Sequence, residues 1–200
     1  MRLLEHPFVT GLGDGSLDKT AFRRYVLQDT LYLNAYKDAL ASLAERAPQP
    51  AVKLILQRHI LAGVEAEREL RAGFAVTLGL SPADISEARP CGALKAYTGF
   101  LDDNSRSKPF GVGLAAMLPC YRSYADIAHR LSPLGCPDTL YRRWIELYTG
   151  PEYAEAVAEI CALIDQAAKD EPDNIPLMRQ AVEKGLLLEH DFFECVWKGE

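Results

Sequence analysis

The sequence predicts an all-α fold, a single-domain bundle of seven to eight helices, and three observations carry that prediction. Apolar residues recur at spacings of three and four along most of the chain. Capping and breaking residues fall at helix-length intervals. No segment keeps the two-residue alternation of a half-buried strand. With 200 residues and 48% hydrophobic content the chain is long enough for one buried core. No repeat, low-complexity tract or linker divides residues 1–200, so one domain is expected.

Each element follows from local signals. Ser16 is placed to cap a helix running from about residue 17 to 46, where Ala47, Pro48 and Pro50 stop it. A second helix spans about 51–78 and ends at Gly79. Ser81, with Pro82 at the first helical position and Asp84 in the first turn, starts a short third helix that stops before Pro90. A fourth covers about 92–103, the polar run DDNSRSKPFG reads as a loop, and a fifth covers about 110–132. Pro137 and Pro151 stand where the next two helices begin, and the last helix covers about 175–197.

Composition excludes several classes of function. Lys and Arg number 22 against 28 Asp and Glu, a net charge of -6 without a basic cluster, which argues against a nucleic-acid partner. No segment has the unbroken apolar length of a membrane span, and the N-terminus lacks the pattern of a signal peptide, so a cytoplasmic location is expected. The five cysteines, Cys91, Cys120, Cys136, Cys161 and Cys195, lack CxxC spacing and are each expected as a free thiol. A di-metal bundle needs Glu-x-x-His pairs on several helices. Only Asp126 with His129 offers a comparable spacing, so no metal is expected. Glu65, Glu67 and Glu69, interleaved with Arg68 and Arg71, read as a solvated helical face.

Polar residues on apolar faces are the candidates for chemistry. On the first long helix Phe22, Val26, Leu33, Tyr36 and Leu40 form a stripe with Asp29 in its middle, and Tyr32 shares that side. Asp29 is either a buried acid with structural partners or the wall of a cavity, because an isolated buried charge costs several kcal/mol. Aromatic walls beside a carboxylate suit a flat, nitrogen-bearing ligand. On the last helix Met178, Val182, Phe192, Phe193 and Val196 share a face that also contains Glu189, either an acid at the edge of that face or a second inward one. Two inward acids whose environments separate their pKa values could divide acid and base roles. Cys120 lies in MLPCYRSYADIAHRL among Leu114, Met117, Tyr121, Tyr124 and Ile127, and is either a small core hydrophobe or a nucleophile. Pro119 beside it should bend its helix.

These residues coincide with a family pattern. The motifs HPFVTGLGDGSLDKTAFRRYVLQDTLYL, AYTGFL, AAMLPCYRSYADIA, YRRWIELYTGPEY and LLLEHDFFECVW, in that order, resemble the TenA/thiaminase II family in its cysteine-containing form. The resemblance implies the helical fold shared with haem oxygenase, and hydrolysis of a C–N bond on the methylene of 4-amino-5-aminomethyl-2-methylpyrimidine, or of thiamine, in thiamine salvage. It implies Cys120 as nucleophile, Asp29 as the group holding the pyrimidine's amino and ring nitrogens, and Glu189 as acid/base. Tyr32, Tyr97, Tyr124, Tyr148 and Phe192 would form the pocket. No cofactor is implied, and a homotetramer is expected. Arg71 stands where many relatives carry histidine, Gly150 where serine is common, and Tyr121 where the family varies. Two other readings stay open: a non-catalytic pyrimidine-binding or regulatory protein, and a metal-dependent oxidase on the same fold.

Overall fold

The computed structural model describes residues 2–200, apart from the side chains of Arg2, Ala66, Glu67, Glu69, Leu70, Arg71 and Ala72. The expectations about Glu67, Glu69 and Arg71 therefore lie outside the described residues. Among those described there are nine α-helices and no strand, close to the expected count. They are α1 (Pro7–Asp14), α2 (Lys19–Glu45), α3 (Pro50–Glu69), α4 (Pro82–Glu87), α5 (Gly92–Ser107), α6 (Phe110–Leu131), α7 (Thr139–Thr149), α8 (Pro151–Asp170) and α9 (Ile175–Lys198). A π-helical turn, Leu70–Ala75, continues α3. None of the helices is long and apolar enough to cross a membrane.

The boundaries correct the sequence reading in three places. α1 was not anticipated. His6 caps it, its Nδ1 accepting from the Phe8 N–H at 3.1 Å, Pro7 takes the first turn, and Gly15 ends it at φ 84°, a left-handed conformation that suits glycine. Asp18, not Ser16, caps α2, its Oδ1 accepting from the Thr20 N–H at 2.6 Å. The Ser16 N–H instead donates to Asp14 at 2.9 Å within the preceding turn. The run DDNSRSKPFG is helical through Ser107 because its polar side chains bond back onto their own helix. Asn104 donates to the Phe100 carbonyl at 2.8 Å, and Arg106 pairs with Asp102 one turn earlier at 2.5 Å.

Helices α2, α5, α6 and α9 pack together at the centre, with α7 and α8 against α6, and α3 against α2 and α8. Trp144, Tyr25, Tyr97, Tyr141, Phe8, Phe22 and Phe193 are fully buried among them. Pro119 finds its explanation here. A Cβ on Gly185 of α9 would fall 2.5 Å from the Pro119 ring, so the bend-prone proline and the missing side chain let α6 and α9 approach closely. Cys120 follows that contact directly, and Glu189 lies one helical turn beyond it. Gly185→Ala is expected to destabilise the protein by about 1–3 kcal/mol, measured by urea unfolding, because an overpacked contact forces the helices apart. An unchanged midpoint would show that the contact has slack.

Two of the cysteines also depart from expectation. Cys91, at the cap of α5, and Cys195, near the end of α9, are disulfide-bonded across 104 residues rather than free. Packing of α5 against α9 brings them together. Cys120, Cys136 and Cys161 are free thiols. Buried Cys136 donates its thiol proton to the Leu12 carbonyl at 3.2 Å, a structural role.

Candidate active site

A cavity of about 730 Å³, counting its mouth, opens between α2, α3, α6, α7 and α8. Asp29, Tyr32 and Tyr36 enter it from α2, Cys120, Tyr121 and Tyr124 from α6, and Tyr148 from α7. Five of the expected site residues, Asp29, Tyr32, Cys120, Tyr124 and Tyr148, thus share one wall. The other three, Tyr97, Glu189 and Phe192, stand behind Tyr32. The Tyr32 ring is 5.1 Å from that of Tyr97 and 6.4 Å from that of Phe192, and the Tyr97 hydroxyl donates to Glu189 at 2.7 Å.

Asp29 is 3% exposed, and its support begins one turn earlier on the same helix. Tyr25 donates a hydrogen bond to the Asp29 carboxyl, and the Trp144 indole N–H donates to the Tyr25 oxygen at 3.1 Å. The second carboxyl oxygen, Oδ2, has no partner among the described residues. A buried, unpartnered acceptor beside a cavity is an unmet hydrogen bond that a ligand can complete. Burial raises the Asp29 pKa to about 7, against the pull of the Tyr25 hydrogen bond.

Glu189 is 1% exposed, and burial raises its pKa to about 8. The Tyr97 hydrogen bond opposes that rise and the charge of Asp29 adds to it. At neutral pH Glu189 therefore holds a proton that it can donate. The half-buried Cys120 thiol is pushed well above its ordinary pKa, first by desolvation and then by the charge of Glu189. The Tyr32 hydroxyl beside the sulfur acts in the opposite direction. That hydroxyl is buried and makes no hydrogen bond among the described residues, so it is available to stabilise a thiolate once one forms.

Sequence reasoning missed the far end of the cavity. His59, 6% exposed on α3, is hydrogen-bonded through Nδ1 with the Tyr121 hydroxyl (2.8 Å) and through Nε2 with Glu159 of α8 (3.0 Å). The Tyr153 hydroxyl donates to the Tyr121 carbonyl at 3.2 Å and closes the wall. A signal was available in the sequence, since His59 falls on the helical face of Val52, Leu56 and Gly63, and a histidine on an apolar face needs polar neighbours if buried. The one metal-like spacing, Asp126 with His129, is committed elsewhere. His129 donates to the Ala125 carbonyl at 2.7 Å and Asp126 pairs with Arg122 at 3.2 Å.

Comparison with known proteins places this cavity in context. Residues 1–199 match the model of the TENA/THI-4/PQQC family. The chain is 32% identical over 193 residues to a thiamine biosynthesis multifunctional protein of Corynebacterium efficiens, spanning 96% of this chain but only 26% of that longer protein. It is 31% identical over 166 residues to the aminopyrimidine aminohydrolase of Halalkalibacterium halodurans, covering 82% of this chain and 74% of the relative. Among solved structures, a TenA homologue from P. horikoshii OT3 superposes with a TM-score of 0.91 at 30% identity, over 100% of this chain and 92% of the other. A domain with a heme oxygenase-like fold from Shewanella denitrificans OS217 superposes with a TM-score of 0.75 at 16% identity, over 98% and 86% of the chains, which shows the fold alone.

Proposed function

The chain belongs to the TENA/THI-4/PQQC family, and we propose that it is an aminopyrimidine aminohydrolase acting in thiamine salvage, with Cys120 as nucleophile. One observation carries the reading. The buried Asp29, with an unmet acceptor, and the Cys120 thiol share one aromatic-walled cavity, with the protonated Glu189 behind it. The aminohydrolase name of the relatives from Halalkalibacterium halodurans and Bacillus subtilis supports it.

The substrate is 4-amino-5-aminomethyl-2-methylpyrimidine, with thiamine as a second. Asp29 accepts from the exocyclic amino group and shares a proton with the adjacent ring nitrogen, a role suited to a carboxyl titrating near neutrality. The aromatic rings around it provide stacking surface. Addition of the Cys120 sulfur to the ring, its proton passing to the ring nitrogen held by Asp29, relieves the aromaticity, and Glu189 donates a proton to the departing amine as the methylene C–N bond breaks. Water then adds to the exposed methylene and gives up a proton to Glu189, and the C–S bond breaks as the ring nitrogen returns its proton to the sulfur. The net change is consumption of one water, release of ammonia and formation of the hydroxymethyl pyrimidine. Walls that exclude other solvent protect the intermediate.

Incubation of the purified protein with the aminomethyl pyrimidine is expected to yield the hydroxymethyl product and ammonia, followed by chromatography. Failure to turn over that compound or thiamine would sink the reading. Tight pyrimidine binding without turnover would instead favour a binding or regulatory protein.

A further inference from the structure

A ring of contacts outside the cavity joins the three helices that carry Asp29, Tyr97 and Glu189. On α2, Arg24 donates to the carbonyls of Val196 and Trp197 near the end of α9, at 2.7 and 2.6 Å. One turn further along α2, beside Asp29, the Gln28 side chain holds the start of α5. Its oxygen accepts from the Cys91 N–H at 2.9 Å and its nitrogen donates to the Arg89 carbonyl at 2.9 Å. The Cys91–Cys195 disulfide closes the ring by joining α5 to α9 directly.

The register of that bridge bears on the site. Cys91 stands six residues before Tyr97 on α5, and Cys195 stands six residues after Glu189 on α9. Six residues are about 9 Å along a helix. Two helices running in opposite directions and tied at the cysteines are therefore level again at Tyr97 and Glu189, where the hydroxyl meets the carboxyl at 2.7 Å. A slip of α5 along α9 would be felt first in that bond, because both side chains are 1% exposed and no water competes to replace the partner.

We propose that the Cys91–Cys195 bridge is a positioning element for the acid, holding Tyr97 against Glu189, and that opening it slows the reaction. This inference rests on the aminohydrolase reading above. A dithiol attacking the partly exposed Cys91 sulfur opens the bridge. It supplies two electrons and two protons, the S–S bond becomes two thiols, and the dithiol itself closes to a disulfide. Without the tether α5 and α9 are joined by non-covalent contacts alone, and Tyr97 holds the Glu189 carboxyl less firmly. The proton for the leaving amine then comes from a less defined position, which lowers kcat more than it raises KM.

The test compares the protein before and after treatment with dithiothreitol, its thiols counted with dithionitrobenzoate in denaturant. Three free thiols are expected before reduction and five after. On reduction kcat for the aminomethyl pyrimidine is expected to fall about three- to tenfold, with KM within about twofold and the helical circular dichroism retained. A direct effect of the reductant on Cys120 would have the opposite sign, since reduction protects a catalytic thiol. Tyr97→Phe lacks the hydroxyl that the bridge positions, so reduction should leave its own lower kcat within about 1.5-fold, whereas a merely structural bridge would slow both proteins alike. Cys91→Ser should match the reduced protein and ignore dithiothreitol. Five thiols before reduction, an unchanged kcat, loss of the helical signal, or an equal fall in Tyr97→Phe would each overturn the positioning role and leave the aminohydrolase reading intact. Absence of turnover in both redox states would remove both.

Discussion

Replacing Cys120 with serine is expected to lower kcat for the aminomethyl pyrimidine by about three orders of magnitude or more, while affinity for the hydroxymethyl product changes by no more than about threefold. The large effect follows from the environment of the thiol. Burial and the nearby acids already hold Cys120 well above its ordinary pKa, so the sulfur becomes nucleophilic only with the help of the Tyr32 hydroxyl and of the ring nitrogen that takes its proton. A serine hydroxyl starts several pKa units further from ionisation, and the same low-polarity walls would oppose an alkoxide more strongly still. Binding should survive, because the proposed mode holds the ring by Asp29 and by stacking against the tyrosines that line the cavity rather than by the sulfur. Steady-state kinetics and calorimetry with the product separate the two effects. A Cys120→Ser protein with near-full activity would refute the nucleophile assignment and shift the chemistry to direct attack by water assisted by Glu189.

How much of this site could be read from the sequence depended on the kind of information each residue carries. Asp29 and Glu189 were legible because a 100° turn per residue fixes which side of a helix a position occupies, and both proved to be almost completely buried. Periodicity does not say which helices face one another. His59 on α3, Tyr121 on α6 and Glu159 on α8 form one chain only because those three helices meet, and no local pattern records that meeting. The support of Asp29 by Tyr25 was half legible, since Tyr25 lies one turn before it, but Trp144 comes from 119 residues away. The disulfide of Cys91 with Cys195 was hidden for the same reason, and by the absence of a spacing motif. The run DDNSRSKPFG failed differently. Its composition favours a loop, yet side-chain bonds to the preceding turn keep it helical to Ser107.

Glu189→Gln is expected to abolish turnover, by about two to three orders of magnitude, and at the same time to stabilise the folded protein at pH 8. The sign follows from linkage. In the unfolded chain Glu189 ionises near its ordinary pKa of 4.5, whereas the fold holds its proton up to about pH 8. Between those values the native state binds more protons than the unfolded state, so the contribution of this group is fully present below pH 4.5 and is lost as pH rises through 8. Glutamine never ionises, and its amide oxygen can still accept from Tyr97 where the Glu189 carboxyl accepts at 2.7 Å. The variant should therefore escape the loss, gaining on the order of 4 kcal/mol over the parent at pH 8 and showing little difference at pH 4.5. Asp29 is raised by the same cause, to about 7, and Asp29→Asn should repeat the pattern with a window ending about one pH unit lower. Urea unfolding of parent and variants at the two pH values measures the difference directly. A variant that is less stable by the same amount at both would mean that Glu189 is ionised and paired in the fold. In that case the proton for the leaving amine must come from elsewhere.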